Sequence, residues 1–161
     1  MERELDRLYR EIVKKVNESI PEPWNRFCFY AQISNTGGGV YFYYKSEQYD
    51  DFIYSLDIPE LFEVDKDRFK KKVYILYKLS KRIWNIFREN QQAPWYSFTI
   101  CLNDQGDFKI NYDYTNWFET EYSFNDQLVI WKYKYLNIMP KDEDEQNTIE
   151  RYLIEYPTNP V

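Results

Sequence analysis

Residues 24–45 read WNRFCFYAQISNTGGGVYFYYK, and apolar residues recur at every second position on both sides of a central break. Phe27, Phe29, Ala31 and Ile33 share one face of the first half, and Val40, Phe42 and Tyr44 share one face of the second. A period of two is that of a β-strand with one side buried. The break at 35–39 holds three of the chain's four glycines, the composition of a tight turn. The segment therefore predicts a β-hairpin.

The same alternation predicts a third strand in DFIYSLDIP, ended by Pro59. Two more, WYSFTICLN and FKINYDY, are joined by the NDQGD turn, with Phe98, Ile100, Leu102, Phe108, Ile110 and Tyr112 facing inward. Elsewhere the period lengthens. Leu5, Leu8, Tyr9, Ile12, Val13, Val16 and Ile20 follow three- and four-residue steps, predicting a helix over 2–20 stopped by Pro21 and Pro23. Phe69, Val73, Leu76, Tyr77, Ile83, Trp84 and Phe87 predict a second helix over 67–90. A short helix is expected over 126–136, and a last one carrying Ile149, Tyr152, Leu153 and Tyr156. Hairpin-linked strands lying between helices define an α+β class: one antiparallel sheet with packed helices, in a single domain over residues 1–161.

Composition removes several functions. There is no histidine, so His-dependent triads, imidazole proton shuttles and His metal sites are absent. The net charge of −6 opposes nucleic acid and anionic membrane surfaces alike. No Gly-rich loop precedes a helix, as a phosphate cradle requires. The charged start, MERELDRLYREIVKK, has no apolar signal region. The reading is a cytoplasmic protein with no metal or cofactor, whose Cys28 and Cys101 are free thiols serving as small packing residues.

What remains is an excess of aromatic side chains beside carboxylates. Residues 108–122, FKINYDYTNWFETEY, hold six aromatics and three acids with one base. Alternation also places Trp24, Tyr41, Tyr43, Trp95 and Asp113 on the sheet face opposite the core. Tyr, Trp and carboxylates together suit an interface with a basic protein, and they also occur at sugar sites. The contact candidates are Tyr112, Asp113, Tyr114, Trp117, Glu119 and Glu121, with Trp24, Tyr41, Tyr43 and Trp95 on the second face. The opposing expectation is that Trp117 and Phe118 plug the sheet edge while the acids solvate the loop. A carbohydrate-binding protein stacking sugars on Trp24 or Trp95 is the alternative function, and a non-inhibitory adaptor is a third.

LYREI and IPEPW near the start, YSLDIPELF, PWYSFTICLNDQGDFKINYDY and WKYKYLNIMP follow one another in an order that resembles the YezG-like (EsaG-like) antitoxins, from about Leu5 to Pro140. The resemblance implies a cytosolic, non-enzymatic immunity protein. Its partner would be the nuclease domain of a toxin exported by a type VII secretion system. Two departures stand out: Pro23 replaces the acid frequent before the early Trp, and Thr115–Asn116 replaces an acidic continuation of NYDY. Both remove negative charge from possible contact points, so toxin specificity does not carry over.

Overall fold

The computed structural model describes residues 1–158. They form two compact units, one built by Met1–Thr115 and the other by the chain from Asn116 onward.

The first unit holds a sheet of β1 (Arg26–Ser34), β2 (Gly37–Lys45), β3 (Ile53–Tyr54), β4 (Ser97–Asn103) and β5 (Phe108–Asp113), with helices α1 (Glu2–Ser19), α2 (Ile58–Leu61) and α3 (Lys66–Glu89). The strand order is β3-β2-β1-β4-β5, and every pairing is antiparallel. Helix α1 buries the stripe Leu5, Leu8, Ile12 and Val16. Asp65 starts α3, its Oδ1 accepting from the N–H groups of Asp67 and Arg68 at 2.8 and 3.1 Å, which satisfies donors that a helix start leaves open. Both helices cover one sheet face, meeting Phe27, Phe29, Ala31, Ile33, Val40, Phe42, Tyr44, Phe98 and Ile100 in one core. On β1, β2 and β4 the inward set read from alternation is thus the observed one. The turn expected over 35–39 narrows to Asn35–Thr36, since Ser34 pairs with Gly37 and all three glycines belong to β2. A Cβ at Gly38 would lie 2.0 Å from the Gln32 carbonyl oxygen, so the close strand approach there requires glycine.

Four other expectations fail in detail in this unit. The third strand shrinks to Ile53–Tyr54, and SLDIPEL winds instead into a 3-10 turn, Ser55–Asp57, followed by α2 with Pro59 in its first turn. Proline's fixed φ suits that position, so it starts a helix rather than ending a strand. Phe108 lies 44% exposed at the end of its hairpin, its ring 6.1 Å from that of Tyr9. Trp24 and Trp95 lie on the core side of the sheet. Both precede their strands, where alternation has not begun; Trp95 packs against Phe87 and Phe98, and Trp24 against Phe27.

The fourth correction concerns the cysteines. Cys28 and Cys101 are not free thiols; they form a disulfide with a Cα–Cα distance of 4.1 Å. They are direct partners across β1 and β4. Ile33 N–H donates to the Tyr96 carbonyl, and counting from that bond along the ladder puts Cys28–Cys101 at a non-hydrogen-bonded pair, where side chains approach most closely. The two residues are 73 positions apart, and only the adjacency of β1 and β4 makes them neighbours.

The second unit contains a 3-10 turn, Trp117–Glu119, then α4 (Phe124–Leu136) and α5 (Glu143–Glu155). Ser123 Oγ caps α4 by accepting from Asp126 N–H at 3.1 Å, and Asp142 Oδ1 caps α5 by accepting from Glu145 N–H at 2.8 Å. Its core joins Trp117, Tyr122, Val129, Ile130, Ile149 and Tyr152. Leu153, expected inward, is 47% exposed.

Candidate partner-binding surfaces

In the first unit, Tyr41 and Tyr43 meet Tyr54 in an aromatic ladder on β2 and β3, with ring centroids 6.4 and 4.6 Å apart. Tyr43 is buried and Tyr41 half-buried. Burial pushes all three phenols up in pKa, Tyr54 to about 12 with Tyr41 and Asp57 adding repulsion. They remain neutral hydrogen-bonding groups at any physiological pH.

Tyr112 faces the opposite way. It packs within 5.0–5.8 Å of Phe87, Trp95 and Phe98, and its hydroxyl shares a hydrogen bond with that of Tyr9. Burial, more than that bond, raises its pKa. Trp95 is fully buried beside it. These two define the shape of the unit from inside. Asp113 and Tyr114 sit where β5 ends: the Asp113 carboxylate accepts from Thr115 N–H at 3.0 Å, and Tyr114 is 54% exposed. Trp24 is half-buried, its indole N–H donating to Asn17 Oδ1 at 2.8 Å. It lines a groove of about 430 Å³ with Tyr9, Val13, Leu102 and Phe108, between α1 and the β4–β5 hairpin.

In the second unit, Trp117 is buried in the core described above. Glu119 and Phe118 are exposed beside it. Glu121 is exposed but tethered: Arg151 donates to it at 3.0 Å and to Glu155 at 2.7 Å, while Tyr122 Oη donates to Glu155 at 3.1 Å. The Arg151 guanidinium lies 4.6 Å from the centre of the Tyr122 ring. The bond from Arg151 holds the Glu155 carboxyl below its ordinary pKa, and burial with the Glu155 bond pushes Tyr122 up to about 12.

The structure therefore leaves Asp113, Tyr114, Glu119, Glu121, Tyr41 and Trp24 wholly or partly open to a partner, and withdraws Trp95, Trp117 and Tyr43 behind the surface. Sequence reading missed Arg151, the organiser of the Glu121 cluster, and the exposed apolar pair Leu153 and Ile154, 47% and 79% open. Nothing in the local pattern marks the former, since the Glu121–Arg151 pair spans 30 positions. The charge is unevenly divided as well. From Asn116 onward there are nine carboxylates and four bases, a balance of −5 out of the chain's −6.

Residues 5–150 match the family model described as "Immunity protein YezG-like". The chain is 32% identical over 146 residues to "Immunity protein YezG" of Bacillus subtilis (strain 168), covering 91% of this chain and 97% of that protein. It is 29% identical over 157 residues to "Type VII secretion system protein EsaG" of Staphylococcus aureus (strain NCTC 8325 / PS 47), covering 96% of each.

Proposed function

The chain belongs to the YezG-like immunity protein family, and from that premise we propose that it is a cytoplasmic antitoxin, acting as one immunity domain over residues 1–161. It binds the nuclease domain of a toxin exported by a type VII secretion system and blocks it by occupancy, without catalysis. The names of its relatives support the immunity role and the secretion system. The nuclease target rests on one observation, the concentration of negative charge from Asn116 onward. A nuclease must hold a polyanion, so its cleft is basic, and an acidic surface both steers encounter with it and complements it.

On this reading Glu119, Glu121 and Asp113 steer, while Tyr114, Tyr41 and exposed apolar groups such as Phe118 supply contact area. Trp117, Trp95 and Tyr43 act from beneath by fixing the surface. The sugar-binding alternative loses one of its two stacking platforms, because Trp95 is fully buried.

Co-expression of the neighbouring toxin domain with and without this chain tests the proposal through growth and co-purification. Growth arrest that the chain does not relieve would refute it. Glu119→Lys with Glu121→Lys should slow association several-fold at low salt and less at high salt. Unchanged association at low salt would move the contact surface elsewhere.

A further inference from the structure

β5 is the last strand of its sheet and is partnered only by β4. Asn103 N–H donates to the Asp107 carbonyl at 3.2 Å, and the same register sets Leu102 opposite Phe108. Hydrogen-bonded pairs alternate with non-bonded pairs along an antiparallel ladder. Lys109 and Asn111 therefore spend their backbone groups on β4, whereas Phe108, Ile110 and Tyr112 turn theirs outward. Among the described residues, the N–H and C=O groups of these three have no hydrogen-bond partner. The opposite edge is blunted, since β3 is two residues long. β5 offers six residues without a proline. An open edge of that length is a template for another strand.

We propose that β5 is the docking edge for the toxin: an extended segment of the nuclease domain adds to the sheet as a sixth strand, bonded to the backbone of Phe108, Ile110 and Tyr112. This rests on the antitoxin reading and specifies how the partner is held. The edge also states what the segment carries. At Phe108 it meets the groove formed with Tyr9, Val13, Trp24 and Leu102, whose apolar floor would take an apolar side chain from the incoming strand on the helix side. Asp6, Arg10, Lys14 and Asn17 of α1 complete its lining. Asp104 and Asp107 flank one end and Asp113 the other, against Lys109 alone between them, so basic flanks are complementary. A second copy of this chain would bring the same acidic flanks, and self-pairing centred on Ile110 would set Asp107 opposite Asp113, like charges in direct cross-strand contact.

Amide exchange measured by NMR, on the free chain and on its complex with a catalytically inactive toxin domain, decides the matter. Strand addition slows exchange at Phe108, Ile110 and Tyr112 by at least ten-fold, while Lys109 and Asn111, already bonded to β4, change little. A complex in which those three amides stay fast overturns strand addition and leaves the antitoxin reading intact. Protection already present in the free chain, with a doubled solution mass, assigns the edge to a second copy and overturns it too. No complex at all overturns the antitoxin reading and this inference together. Two variants add an independent arm. Phe108→Pro deletes an outward N–H at the first residue of an edge strand, where proline is tolerated, and should weaken toxin binding ten-fold or more with an unchanged melt. Phe108→Ala keeps the N–H, so its loss of binding should be smaller; an equal loss would mean that only the groove matters.

Discussion

Trp117 separates packing from contact most sharply. The residue is 5% exposed. Its ring centroid lies 5.6 Å from Tyr122, 6.0 Å from Tyr152 and 5.8 Å from Tyr156, and Val129, Ile130 and Ile149 complete the cluster. Trp117→Ala removes the ring that these side chains share and leaves a cavity they can only partly fill. The expected cost is about 3–5 kcal/mol, a large part of the stability of an ordinary domain. The backbone around it should persist, because Thr120 Oγ1 and Gln127 Nε2 donate to the Trp117 carbonyl, which the substitution retains. Trp117→Phe keeps a ring in place and should lose clearly less. Urea unfolding of both variants, followed by fluorescence and by far-ultraviolet circular dichroism, measures the loss. Association and dissociation rates with the toxin domain, taken well below the unfolding midpoint, supply the contrast. An unchanged unfolding midpoint with dissociation accelerated more than ten-fold would refute the argument and make Trp117 a contact residue.

Replacing Cys28 and Cys101 by Ala should lower stability by about 4 kcal/mol on the chain-entropy account, given the 73-residue separation they close; denaturation with and without reductant should show the same difference in the parent chain. Tyr54 and Tyr122, raised to about 12, and Tyr43, Tyr44 and Tyr112, also raised mainly by burial, stay neutral when folded above the ordinary value of 10. Their contribution is complete below pH 10 and is lost as pH rises from 10 through the folded values, because only the unfolded chain ionises there; absorbance at 295 nm should therefore rise together with unfolding and not before it. The indole N–H of Trp95 is buried without a hydrogen-bond partner. Trp95→Phe relieves that unpaired donor while losing some packing, so it should cost no more than about 2 kcal/mol by thermal melt, against about 3–5 kcal/mol for Trp95→Ala.

Wherever one face of a strand meets the helices, the residue pattern is enough. The inward residues of β1, β2 and β4, the stripe of α1 and the periodic positions of α3 are all legible, because a period of 2 or 3.6 is imposed by burial on one side. Legibility ends at two kinds of place. One is the residue just outside an element: Trp24 and Trp95 precede their strands, and counting backwards assigns them to the wrong face. The Tyr96 N–H bond to the Asp113 carbonyl departs from the β4–β5 register, in which Asp113 pairs with Ser97, and so marks where regular pairing stops. The other is a contact made by topology alone. The Cys28–Cys101 bond and the Arg151 link to Glu121 each join positions whose separation no local pattern spans. Burial of the second face belongs here too: Tyr30, Gln32, Ser97 and Thr99 are all buried, although alternation alone marks them only as polar or mixed.

Residues 108–122 show how the two limits combine. Aromatics and acids there look interleaved because the segment leaves one core and enters another, with the division at Thr115 and Asn116. Tyr112 points into the first unit, against Phe87 and Trp95. Trp117 and Tyr122 point into the second. The residues between them, Asp113 and Tyr114 before the division and Phe118, Glu119 and Glu121 after it, are left wholly or partly open. The density of aromatics thus has a packing cause, and the acids fall among the residues that neither core takes in. Trp117 and Tyr122 are packing elements, while Tyr114 and Phe118 stay exposed. The acids have no such inward duty. Glu119 caps no helix, and Glu121 is held at the surface by an exposed Arg151, a geometry worth little to stability. A carboxylate that contributes little to the fold, on the unit carrying most of the net charge, is what the proposed toxin contact calls for.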